Sequence, residues 1–284
     1  MPPPSPLPPS VPSRHGLLLV GHGTREPLGV AQFLDLARLL AAASPEVVLE
    51  PCFLELAEPM IAEGLGRLLA RGIDELIVAP LLLFSAGHAK DDIPTAVAAE
   101  LEALGRSDLP RRQTAPLECH PQLLALSRLR YDEAMAEAPR EAPTTLVMIG
   151  RGSRDAGATR EMHRYAALHA EQVGAANLEV GFLAVVRPNL VDVLTLAASA
   201  SPPRIVVQPH LLFEGLLSAE VREAVAAARR ERPHIDWRCA DPLGPHALLV
   251  RALRTGCNLR ENMRADAVHV TAGDGSARQC VTGR

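Results

Sequence analysis

The sequence predicts an α/β protein of two tandem, duplicated, doubly wound domains whose mostly parallel sheets face each other across a cleft. Three observations predict it. Strand and helix patterns alternate through most of the 284 residues, which implies parallel sheets with right-handed crossovers. The candidate strands are continuous apolar runs, as in sheets covered on both faces. One set of segments also occurs twice in a single register, 129 residues apart. Leu19-Val20-Gly21-His22-Gly23-Thr24-Arg25-Glu26 returns as Met148-Ile149-Gly150-Arg151-Gly152-Ser153-Arg154-Asp155. Phe53-Leu54-Glu55-Leu56-Ala57-Glu58-Pro59 returns as Phe182-Leu183-Ala184-Val185-Val186-Arg187-Pro188. Ile77 to Phe84 matches Val206 to Phe213, aligned on Pro80 and Pro209.

The elements follow in order. The first twelve residues hold seven prolines and cannot pack, so 1–14 is expected to be a disordered leader. Gly16–Val20 is a strand ending in glycine. Leu28–Ala43 places Val30, Phe33, Leu34, Ala37, Leu40 and Ala41 on one face of a helix that Pro45 closes. Val47–Leu54 is the second strand, and a second helix is expected to start at Glu58-Pro59, proline being tolerated in a first turn, and to stop at Gly72. Leu76–Leu83 is the third strand. Asp92-Ile93-Pro94 opens a third helix with Asp91 and Asp92 as caps. A short strand near Thr114–Glu118 and a helix from Leu123 complete the first half. The order repeats from Leu146 to about Arg254. This gives domains at 15–140 and 141–256, and a loose tail at 257–284.

Composition removes several function classes. A formal net charge of −4 and only eight aromatic residues (Phe 5, Tyr 2, Trp 1) leave neither the basic footprint nor the stacking platform of a nucleic-acid binder. No apolar run approaches the ~20 residues of a membrane span, and no secretory signal pattern is visible. Five scattered cysteines without a CxxC pair argue against a disulfide framework or zinc knuckle. A cytoplasmic protein is expected.

Ligands of open α/β sheets bind beyond the carboxyl ends of the strands. His22, between Gly21 and Gly23, follows strand one; Glu55 follows strand two; His88, in Ser85-Ala86-Gly87-His88, follows strand three. Two imidazoles and a carboxylate at one sheet edge suit a divalent metal such as iron, cobalt, nickel or zinc, and imidazole can take a proton near neutral pH. Each residue alone also suits a structural role, Glu55 as a cap of the following helix. The repeat weighs against that. The second half keeps the scaffold glycines, Phe182 and the prolines, yet carries Arg151, Ala184 and Leu217 where the first has His22, Glu55 and His88. Residues lost together are expected to act together.

These motifs, with Ala86-Gly87-His88-Ala89-Lys90-Asp91-Asp92-Ile93-Pro94, resemble the sirohydrochlorin chelatase family over about residues 15–255. The Gly-Arg-Gly-Ser second half resembles its long, two-domain cobaltochelatase form. Departures are Ser85-Ala86-Gly87-His88, where a second glycine is common, and Thr24, where serine is usual. The resemblance implies insertion of Co(II) or Fe(II), cobalt being favoured by the two-domain layout, into sirohydrochlorin on the way to cobalamin or sirohaem. His22, His88 and Glu55 would hold the metal and relay pyrrole protons. The metal would be a substrate and no nucleotide would be needed; no GxxxxGK[ST] run is present. The substrate's rim carboxylates would meet Arg25, Lys90 (the sole lysine), Arg151, Arg154 and Arg187. Nucleic acid and membrane are excluded as partners; the oligomeric state stays open, although the duplication supplies both lobes within one chain and so allows a monomer.

Two rivals remain at this level: a non-catalytic metal or tetrapyrrole carrier with the same ligands, and a histidine phosphatase using Arg14-His15-Gly16, although that histidine precedes the strand. His120 and His246, each beside a proline and kept in both halves, are expected to be structural or near the substrate; His163, His169 and His234 are expected at the surface.

Overall fold

The computed structural model describes residues 14–85, 87–136 and 142–259, with the backbone alone at His88 and Ala89. The leader up to 13 and the tail beyond 259 lie outside the described residues.

Two four-stranded parallel sheets have the same order. In the first, β2 (Val48–Phe53), β1 (His15–Gly21), β3 (Glu75–Pro80) and β4 (Arg111–Gln113) lie side by side. The second repeats this with β6 (Asn177–Phe182), β5 (Thr144–Gly150), β7 (Arg204–Pro209) and β8 (Asp236–Cys239). The apolar runs are the central strands. Leu17, Leu18, Leu19 and Val20 are all fully buried, as are Leu146 to Ile149, because helices cover both faces.

Alternation along those strands builds the packing. Leu18 and Val20 face α2 (Ile61–Ala70) and α3 (Ile93–Ala103) in a core confined to the first half. Val147 and Ile149 face α6 (Leu190–Ser199) and α7 (Leu216–Glu231) in the matching second-half core. The other faces share one continuous core, in which Leu17, Leu19, Leu146 and Met148 meet α1 (Pro27–Ala43), α4 (Pro121–Ala134), α5 (Ala156–Val173) and α8 (Ala247–Gly256). The last helix of each half crosses to the other. Helix α4 packs on α5 and β7, with Tyr165 Oη donating to Leu123 O at 3.0 Å and Gln208 Nε2 to Ser127 O at 2.9 Å. Helix α8 packs on α1, with Arg254 bonding Ala43 O and Ser44 Oγ and pairing with Glu46.

Several boundaries differ from expectation. Strand β4 pairs at Arg111–Gln113 rather than Thr114–Glu118, because the register with Leu76–Val78 is set at that polar edge. Helix α2 starts at Ile61, after a bend containing the cis Glu58–Pro59 bond, and the Glu63 carboxylate accepts from Met60 N at 2.9 Å. Asp92 gives α3 no side-chain cap; a π-helical turn, His88–Asp92, feeds straight into that helix. His169 is wholly buried rather than at the surface, its Nε2 2.9 Å from Gln208 Oε1. His163 and His234 are exposed. His120 and His246 are equivalent N-caps, accepting from Gln122 N and Leu248 N at the starts of the exchanged helices.

Candidate active site

Strands β1, β3, β5 and β7 all run toward a cavity of about 1180 Å³ between the lobes. It is lined by the loops after those strands: Gly21 to Glu26 and Leu81 to Phe84 from one lobe, Gly150 to Arg154 and His210 to Ser218 from the other. This exceeds the ~300–1,000 Å³ of ordinary small-molecule pockets. Among the contacts that bridge the lobes beside it, Lys90 Nζ lies 2.7 Å from Asp155 Oδ2 and Glu214 N donates to Gln32 Oε1 at 2.8 Å.

The turn after β1 needs glycine. Gly23 sits at φ +98°, and a Cβ there would fall 1.6 Å from Glu55 O. Gly152 repeats this at φ +90°, with a Cβ 1.9 Å from Ala184 O. The close approach lets Glu55 N donate to His22 O at 3.1 Å, locking the two loops together. Gly23→Ala is expected to cost about 3 kcal/mol through backbone clash and a disfavoured φ. Thermal unfolding measures it, and an unchanged Tm contradicts this account of the loop.

That lock aligns the side chains. His22 Nε2 lies 3.4 Å from Glu55 Oε1, a separation that two metal bonds of about 2.1 Å span at a near-tetrahedral angle. His22 Nδ1 is 3.1 Å from Gly23 O. A proton on Nδ1, donated to that carbonyl, leaves the Nε2 lone pair directed at the site. His88 opens the π-helical turn after β3, and its side chain lies outside the described residues. Among the described residues no group of three or more His, Cys, Asp or Glu side chains is placed to hold a metal. In the first lobe His22 lines the cavity and Glu55 stands beside His22 without lining it, whereas their second-lobe counterparts Arg151 and Ala184 both line it.

The five candidate cations separate. Arg25, Arg151 and Arg154 are exposed, line the cavity and pair with no carboxylate among the described residues. Lys90 does not line it; its ammonium holds Asp155, whose carboxyl is kept below the usual carboxylate range by that hydrogen bond and by Gly157 N. Arg187 points its guanidinium to Asp192 at 2.6 Å and is also not a lining residue. Both were expected at the substrate; here each is paired with a neighbouring carboxylate, Lys90 beside the cavity and Arg187 next to α6. His15 stands at the opening end of β1, 3.2 Å from Glu75 and away from the cavity.

Sequence reasoning missed several lining residues, Leu56, Val185 and His210 among them. Leu56 and Val185 are repeat partners with exposed apolar side chains, and His210 replaces Leu81 at an equivalent position. The 129-residue offset carried the signal for all three.

Among known proteins, the chain is 27% identical over 241 residues to the sirohydrochlorin cobaltochelatase of Priestia megaterium, spanning 84% of this chain and 77% of the relative. It is 27% identical over 248 residues to the sirohydrochlorin ferrochelatase of Bacillus subtilis, spanning 86% and 93%. The solved structure of SirB from Bacillus subtilis with Fe3+ superposes with a TM-score of 0.77 at 26% identity, covering 86% of this chain and 94% of that one. The family described as CbiX matches residues 16–134 and again 145–258, one copy for each half. The chain belongs to the CbiX family.

Proposed function

We propose that this chain is a cytoplasmic sirohydrochlorin chelatase, a lyase-class enzyme that exchanges two pyrrole protons for Co(II) or Fe(II) without consuming a nucleotide. The observation that carries the reading is that His22, on the wall of a large two-lobed cavity, has the Glu55 carboxylate 3.4 Å from its Nε2, while the second lobe lacks both groups. Relatives inserting each metal support it.

The first lobe handles the metal. His22 Nε2 and Glu55 Oε1 bind the incoming ion, with His88 joining from the turn after β3. As the ion passes to the ring nitrogens, these groups accept the two protons released, so charge balances at each stage. The second lobe closes over the macrocycle, and Arg25, Arg151 and Arg154 engage its carboxylates. Because one chain supplies both walls, a monomer suffices.

Mixing the protein with sirohydrochlorin and Co(II) or Fe(II), without ATP, is expected to convert the free-base visible spectrum to that of the metal complex over many turnovers. Stoichiometric binding without turnover would identify a carrier and overturn the enzyme reading. Competing the two metals in one reaction assigns the preferred substrate. Arg151→Ala is expected to raise the KM for sirohydrochlorin roughly three- to tenfold with little change in kcat; an unaltered KM removes Arg151 from the substrate site.

A further inference from the structure

A flat conjugated ring with an acidic rim presents two recognition problems. Arginines answer the rim; the apolar faces need apolar contacts from the protein. Leu56 and Val185 occupy the same place in the two repeats and line the same cavity, one from each lobe. Both are left open, at 46% and 66% exposure. Both also hold backbone angles that such side chains avoid, φ 67° at Leu56 and φ 68° at Val185. At Val185 the turn closes tightly, Val186 N donating to Ala184 O at 2.7 Å, which is a γ-turn of the rare, strained hand.

An isolated exposed leucine needs no explanation. A strained, exposed apolar residue kept in both halves does. If the loop alone required positive φ, glycine would satisfy it without penalty, as it does two residues after Gly21 and Gly150. The neighbouring Glu55 became Ala184, so this stretch was free to change. What survived in both copies is an apolar side chain projected into the cavity from a disfavoured backbone.

We propose that Leu56 and Val185 are paired positioning residues that grip the apolar body of the macrocycle, one from each lobe, and hold it against the His22–Glu55 pair. The proposal rests on the tetrapyrrole reading above. The two side chains turn the cleft into a slot for a thin apolar ring, and the backbone strain fixes where they point.

Leu56→Gly and Val185→Gly test it, because glycine deletes the grip and relieves the backbone together. Three quantities are read on each purified full-length variant: Tm, sirohydrochlorin affinity without metal by absorbance titration, and Co(II) affinity without macrocycle. The expected result is a Tm equal to or above wild type, unchanged Co(II) binding, and macrocycle affinity weakened about five- to tenfold per site. Leu56→Asn and Val185→Asn, which tolerate positive φ but offer no apolar surface, are expected to lose the same affinity. Unchanged affinity in the glycine variants, with wild type binding normally, overturns the proposal alone. Weakened affinity accompanied by a lower Tm or lost Co(II) binding assigns the residues to loop structure and also overturns it. Wild type that binds no sirohydrochlorin overturns the tetrapyrrole reading and this proposal with it.

Discussion

His22→Ala is expected to slow metal insertion at least about a hundredfold while Tm stays within about 2 °C of wild type. The imidazole is partly exposed at the cavity wall, where it bonds the adjacent carbonyl and approaches Glu55. Its loss therefore removes chemistry more than packing. Glu55→Gln keeps the shape but not the charge and is expected to fall by a similar order. The double variant should be little worse than either single one, because two groups that bind one ion act as a unit. Insertion rates in the singles within twofold of wild type would refute the assignment, as would fully additive losses.

Acid is expected to unfold the protein through its buried imidazoles. His210 is only 2% exposed, with its ring against Tyr165 and Phe84 and neither nitrogen partnered among the described residues. Burial, helped by neighbouring His169, pushes its pKa down to about 3. His169, between Gln208 and the Tyr131 ring and within the field of Arg128 and Asp132, is also held low by burial. Burial lowers His120 and His246, which must stay neutral to accept at their helix starts. A folded pKa below the unfolded one gives stability that is complete above about pH 6.5 and lost as pH falls from there. For His210 alone the loss by pH 4 is on the order of 3 kcal/mol. His210→Leu copies the residue at the equivalent first-half position, Leu81. It is expected to match or exceed wild-type stability at pH 7, since two unpaired polar atoms leave a buried site. It should also flatten the pH dependence between 6.5 and 4 by about one proton. Denaturant unfolding across that range measures both, and an unchanged slope would contradict the burial account.

The central strands were legible because their signal is local: Leu17 to Val20 must be covered on both faces whatever surrounds them. The closeness of His22 and Glu55 was legible for a different reason, since the repeat supplied its own control in Arg151 and Ala184. What escaped depends on distant partners. Strand β4 is short, polar and at an edge, so its place comes from β3 and not from its own residues. The exchange of α4 and α8 is invisible in their amphipathic patterns, which fit either sheet. His169 looked like a surface residue because the Gln208 that meets its Nε2 stands 39 positions away. Lys90 lies two residues from His88 in sequence, yet the π-helical turn carries it to Asp155 in the other lobe.

Cobalt-edge anomalous diffraction from crystals soaked in Co(II) without tetrapyrrole tests the central claim most directly. The account predicts one dominant peak within about 2.1 Å of both His22 Nε2 and a Glu55 carboxylate oxygen, on the first lobe's side of the cleft. A dominant peak elsewhere, with that pair unoccupied, would contradict it.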